Sequence, residues 1–209
     1  MSERIILGDA CVAEGAAWLA AREPRFAAAL DLTGALPLRR YPEGFARLLN
    51  AIVCQQVSVA SAAAIWGRMQ AAGAVTPDVV LSHTQDELRA LGLSRQKARY
   101  AHALAQAGID YGALRGLPDA EAAAVLTAVP GIGVWTAEIY LMFSMGRADV
   151  FAPGDLALQE AARLLFVLPA RPKDRELRVM AQEWSPWRSV AARLLWAYYA
   201  RAKQREGIT

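Results

Sequence analysis

The stretch Leu126-Thr127-Ala128-Val129-Pro130-Gly131-Ile132-Gly133-Val134-Trp135-Thr136-Ala137 constrains the fold more than any other part of the chain, because it joins two helical segments through a turn of a few residues. Proline ends the first segment. Glycines at alternate positions let the backbone enter the left-handed region and let another surface approach the main chain without meeting a Cβ. The amides that follow open a helix, where unpaired N–H groups and the helix dipole can hold a phosphate without reading sequence. Read by itself, Pro-Gly-Ile-Gly is also an ordinary tight interhelical turn.

Helical periodicity runs through the rest of the chain. Residues 13–30 read as a first helix, closed by Thr33-Gly34-Ala35-Leu36-Pro37. Phe45, Leu48, Leu49, Ile52 and Val53 then fall at i, i+3, i+4, i+7 and i+8, one apolar stripe of a helix entered through Pro42 in its first turn. Ser58 caps a following helix with Val59, Ala62, Ala63, Trp66 and Met69 on its apolar side. Further helices are expected from Pro77, over 84–91, from Arg95, and over 119–128, 135–145, 155–166, 172–184 and 186–201. No stretch reads as a strand or as a fixed-period repeat. Alanine supplies 44 of the 209 residues, a small side chain with strong helix preference, so the expected fold class is all-α with closely packed helices.

Charge is uneven along this chain. Residues 1–36 hold three Arg against five acids, residues 89–115 five bases against one acid, and residues 171–209 nine against four. Two basic patches on a near-neutral body suit a polyanion such as nucleic acid, and they also suit a simple solvated face. Arg95, Lys97 and Arg99 open their helix against its dipole, which favours a use toward a partner over helix stability. Cys11, Cys54, His83 and His102 are too few and too scattered for a zinc site, a disulfide framework or an iron–sulfur cluster, so no metal is expected. The N-terminus lacks the apolar run of a secretory signal, and no segment has the roughly 18 apolar residues of a membrane span; a cytoplasmic protein without membrane contact is expected.

Four motifs in order resemble the helix-hairpin-helix DNA glycosylase superfamily. The hairpin Leu126 to Ala137 is followed by Asp149-Val150-Phe151-Ala152-Pro153-Gly154-Asp155, similar to the Pro-Gly-Asp element that holds that family's catalytic aspartate. Ala51-Ile52-Val53-Cys54-Gln55-Gln56-Val57-Ser58-Val59-Ala60, and Trp184-Ser185-Pro186-Trp187-Arg188-Ser189 with Trp196, narrow the resemblance to the 3-methyladenine DNA glycosylase II branch. The likeness covers roughly residues 40–200. Only about 40 residues of helical pattern precede it, which implies a compact form without the β-rich N-terminal domain of other members.

The resemblance implies roles for particular residues. Asp155, read alone as an N-cap of the helix starting Leu156-Ala157-Leu158, becomes the catalytic carboxylate that stabilises the oxocarbenium-like sugar and orients the attacking water. Trp135 and Trp196, which alone read as core, become walls of a base pocket, and an electron-rich wall suits the positive charge of N3- or N7-alkylated purines. Ile139 stands where the branch pattern has a pocket tyrosine, which leaves the substrate range open. Trp135 also stands where bifunctional members carry a Schiff-base lysine, so no lyase activity is expected. Gly131, Gly133 and Thr136 are the implied DNA contacts. Gln55 is placed near the duplex opening, where it also reads as a helix-end cap, and Ile65 is placed as the intercalating wedge, where its spacing also suits ordinary core.

The implied function is a monofunctional glycosylase that flips alkylated purines out of duplex DNA, works as a monomer, needs no cofactor and leaves an abasic site. The alternatives are a glycosylase for a deaminated or otherwise damaged base, and a non-catalytic DNA-binding module in which Asp155 is only a cap. The implied organisation has an N-terminal segment, 1–43, packing with a C-terminal subdomain, 151–209, and a helical subdomain, 44–150, carrying the hairpin, with the active cleft between the two subdomains.

Overall fold

The computed structural model of the protein describes residues 4–205, and contacts divide the chain into two compact units, Met1–Arg40 with Leu141–Thr209, and Tyr41–Tyr140. Among the described residues every regular element is helical, and the only extended pairing is an isolated bridge between Ile5 and Arg147. No described helix is long and apolar enough to cross a membrane.

The first unit opens with α1 (Asp9–Arg22) and α2 (Pro24–Thr33). A single helix over 13–30 was the expectation, and the structure breaks it. Glu23 is extended at φ −131° and ψ 107°, its carboxylate accepts from Arg25 N, and Pro24, which has no N–H to continue the ladder, starts a new helix. The unit is completed by α11 (Leu156–Leu165), α12 (Asp174–Met180), a 3₁₀ turn over Ala181–Trp184, and α13 (Arg188–Arg205), against which α1, α2 and α11 pack. Its core holds an aromatic group in which Trp184 meets Phe26, Phe151 and Phe166 with ring centroids 5.3, 5.3 and 5.8 Å away. Gly15 lets α1 close on Trp187, whose ring a Cβ there would overlap. Trp184 and Trp187 are therefore core side chains.

The second unit runs through α3 (Phe45–Cys54), α4 (Val59–Ala71), α5 (Pro77–Ser82), α6 (Gln85–Ala90), α7 (Arg95–Gln106), α8 (Tyr111–Leu114), α9 (Asp119–Thr127) and the start of α10 (Val134–Phe143). The α3 stripe is as expected: Leu48, Leu49, Ile52 and Val53 are fully buried, each such burial stabilising by about 1.5–3 kcal/mol, and the helix packs on α4 and α7. Its start differs. Pro42 lies outside the helix, and Gly44 at φ 105° is the cap, its N–H donating to Tyr140 Oη at 2.8 Å. On α4 the expected face is rotated: Val59 is 89% exposed, and the buried stripe is Ala62, Ile65 and Met69.

Leu141, Met142, Phe143 and Met145 are buried and grouped with the first unit, so the division falls at 140 where the sequence pattern had put it at 150. Periodicity marks where helices run and carries no information about which neighbour a continuous apolar segment joins.

Candidate active site

The turn Ala152-Pro153-Gly154-Asp155 is tied down from several directions within its own unit. Asp155 N donates to Ala152 O at 3.0 Å, and Gln159, buried one turn into α11, donates from Nε2 to Pro153 O at 2.8 Å. Upstream, Asp149 receives Arg188 through Nε and Nη2, both at 2.8 Å, and Ser185 Oγ at 2.7 Å, while Ser189 N donates to Ala148 O at 2.9 Å. The Trp-Ser-Pro-Trp-Arg-Ser stretch thus clips the base of the segment that ends in Asp155. A bidentate pair of this kind adds geometry as well as energy.

Asp155 is the N-cap of α11 and is half-buried. Its Oδ1 accepts from Ala157 N at 2.9 Å, from Leu158 N at 3.1 Å and from the indole Nε1 of Trp196 at 3.2 Å. Three donors on one oxygen fix the plane of the carboxylate. Trp196 in turn lies against Phe143, ring centroids 5.6 Å apart. Asp155 and Trp196 are the two expected site residues that this unit brings into direct contact.

The other unit gathers a second set. Trp135, Thr136 and Ile139 on α10 and Gln55 at the end of α3 line one cavity of about 210 Å³. Trp135 is 47% exposed, a large aromatic surface with no core role to account for it. The opposite wall is formed by Arg47, Asn50, Ala51 and Cys54, which follow one another at i, i+3, i+4 and i+7 along α3. Sequence reading missed this second stripe because the apolar stripe beside it dominates the helix; the signal was a polar, small-residue row at helical spacing with no acidic neighbour. Arg47 lies 4.0 Å over the Tyr41 ring, and Cys54 Sγ donates to Asn50 Oδ1 at 3.8 Å.

At the hairpin the two glycines differ. Gly131 has φ 97°, and a Cβ there would overlap the Tyr100 ring, so glycine is required by the fold itself. A Cβ on Gly133 would meet no atom within 4 Å. That open space lies where a ligand could reach the backbone. Gly133 O accepts from Ala137 N at 3.0 Å, which makes it the first carbonyl of α10. The hairpin, Gln55, Gln56, Ser94 and Lys97 border a polar cavity of about 530 Å³.

Four expectations change here. The Ile65 side chain is only 8% exposed and packs within reach of Gly92, so it is core and cannot leave the protein as a wedge. The α3–α4 turn instead exposes Gln56, at φ 53°, and Val57, followed by the capping Ser58. Gln55 donates its Nε2 to Gly131 O at 2.9 Å, tying that turn to the hairpin rather than offering its amide outward. Thr136 is buried and lines the cavity it shares with Trp135 instead of standing exposed on the hairpin. Lys97, read as a cation for a partner, is buried with Nζ donating to Val53 O at 2.7 Å; burial lowers its pKa, and its role is to cap the end of α3. Among the described residues no three His, Cys, Asp or Glu side chains come together as a metal site.

A family model described as the HhH-GPD superfamily base excision DNA repair protein matches residues 49–187. The chain is 30% identical to a DNA-3-methyladenine glycosidase of Bacillus halodurans of known structure, with a TM-score of 0.82 over 97% of this chain and 94% of that one. It is 28% identical to a Schizosaccharomyces pombe 3-methyladenine DNA glycosylase solved in complex with abasic DNA, with a TM-score of 0.75 over 88% and 95% of the two chains. It is 31% identical over 182 residues to DNA-3-methyladenine glycosylase 2 of Escherichia coli, 79% of this chain and 62% of that one. The chain spans between 32% and 72% of the length of such curated relatives.

Proposed function

Because this chain belongs to the HhH-GPD superfamily of base excision DNA repair proteins, we propose that it is a DNA glycosylase that flips an alkylated purine out of duplex DNA and hydrolyses its N-glycosidic bond. The observation that carries this reading is the Asp155 carboxylate, oriented by two α11 amides and by Trp196. As the C1′–N bond breaks, positive charge grows on C1′ and O4′. A carboxylate held beside the sugar stabilises that charge and orients the water that adds to C1′, its proton passing to the carboxylate or solvent. An alkylated purine that starts as a cation leaves as a neutral base, and cation–π contact with an exposed indole such as Trp135 favours it over its neutral parent by roughly 0.5–2 kcal/mol.

The product is an intact abasic site. Trp135 stands where a lyase would need an amine, and an indole cannot form a Schiff base. The hairpin amides take the DNA backbone, with Gly133 giving the closest approach, and the enzyme works as a monomer. The residue that fills the hole left by the flipped base belongs to the exposed turn at Gln56 and Val57, since Ile65 is core.

The test is release of bases from methylated duplex DNA by wild type and Asp155→Asn. Wild-type release, absent in the variant while DNA binding is kept, supports the reading, and borohydride should trap no covalent complex. Binding without release by wild type would instead leave a different lesion or a non-catalytic hairpin module, which a panel of deaminated bases separates.

One observation favours a second substrate class. Arg47 and Asn50 line the same cavity as Trp135, and such donors suit the carbonyl edge of a deaminated purine. Release of hypoxanthine in preference to 3-methyladenine would select that class.

A further inference from the structure

Arg193 is anchored to Leu38 O, the carbonyl just before Arg39 and Arg40, within the unit of Met1–Arg40 and Leu141–Thr209, and both of those arginines act on its charge. Arg193 is 2% exposed on α13. It donates from Nε and Nη2 to Leu38 O at 3.2 and 3.1 Å and from Nη1 to Ser189 O and Oγ at 2.9 and 2.5 Å, and it lies 4.6 Å over the Phe143 ring. Arg40 donates from Nη1 to Ile6 O at 2.8 Å. Between these two anchors stands Arg39, exposed, with its backbone in the left-handed region at φ 46°. Among the described residues no carboxylate pairs with any of the three.

This arrangement works against folding. Like charges repel, and the repulsion is strongest where water is excluded. Burial first, and then the charges of Arg39 and Arg40, together lower the Arg193 pKa to about 10. A left-handed arginine adds backbone strain, since only glycine and, less readily, asparagine or aspartate take that region at low cost. The chain nonetheless holds Arg39 there by fixing the carbonyl before it and the side chain after it. Strain and uncompensated charge of this sort are expected where an anion is bound.

We propose that Arg39 binds a phosphodiester of the DNA backbone, with Arg193 and Arg40 as the residues that position it. The proposal rests on the DNA reading above and extends it to a cation outside the hairpin. The cluster is linked to the catalytic carboxylate through packed side chains: Arg193 over Phe143, Phe143 against Trp196, and Trp196 donating to Asp155. An acid that must work beside a polyanion is repelled by its phosphates, and a guanidinium on the same unit offsets that repulsion. The planar fork of arginine matches two phosphate oxygens at once.

Arg39→Gly tests this, because glycine accepts φ 46° without strain while the charge is removed. Affinity for an abasic-site-analogue duplex is measured by anisotropy over a range of chloride concentrations, with the melting temperature of each variant. Expected are a several-fold weaker Kd, a plot of log K against log salt shallower by about one unit, and an unchanged or higher melting temperature. Arg39→Lys should keep the slope. An Arg39→Gly protein that binds like wild type with the same slope overturns the proposal, as does one that loses affinity and stability together. Wild type that binds no duplex at all overturns the DNA reading as well, which separates the two failures.

Discussion

The indole Nε1 of Trp196 donates to Oδ1 of Asp155 at 3.2 Å, joining side chains 41 residues apart on the same oxygen that caps α11. The bond makes α13 a direct determinant of how the Asp155 carboxylate is oriented. Trp196 also presents its ring to Phe143, so its two functions, packing and donation, can be separated by substitution.

Trp196→Phe keeps an aromatic ring against Phe143 and removes the donor. A hydrogen bond to a charged group contributes about 1.5–3 kcal/mol, so kcat should fall at least about tenfold. KM for a damaged duplex should stay near the wild-type value. Single-turnover base release gives both numbers, and a KM change with unaltered kcat would assign Trp196 to base binding instead.

The two hairpin glycines should part company. Gly131→Ala meets both a left-handed backbone and the Tyr100 ring, and should lower the melting temperature markedly. Gly133→Ala places its methyl in open space and should leave stability within about 0.5 kcal/mol while weakening duplex binding. Differential scanning calorimetry beside a DNA titration resolves the pair. Equal destabilisation by both changes would argue that the hairpin is a structural turn only.

Sequence placed the wedge at Ile65, whereas the structure buries that residue and leaves Gln56 exposed. Ile65→Ala should destabilise the fold by about 2–5 kcal/mol, as expected for a core cavity. Gln56→Gly relieves a left-handed residue and should not destabilise, yet it should reduce base flipping, followed by the fluorescence of a 2-aminopurine opposite or beside the lesion. Unchanged fluorescence with Gln56→Gly would remove that turn from the flipping step.

Much of the fold was legible because local rules decide it. The α3 stripe, Ser58 accepting from Ser61 N, and Asp155 capping α11 all follow from spacing and from the few side chains that satisfy helix-end amides. The break at Glu23-Pro24 was equally local, and was missed because alanine-rich pattern on both sides hid it. On α4 the same alanine richness left the buried arc undefined: with small apolar residues all round, spacing alone could not say whether Val59 or Ile65 faced the core.

The sequence by itself determined that the chain is helical, where its hairpin bends, and which acid opens α11, because helix periodicity, caps and turn residues act over a few positions. Only the tertiary structure decided what distant polar side chains face. Lys97 could have met a phosphate and instead caps Val53; Gln55 could have met a base and instead holds Gly131; Arg193 could have been solvated and instead lies buried, holding Leu38 O. A long polar side chain binds the best partner within its reach, and that partner is set by which helices lie beside it, a relation that no local pattern encodes.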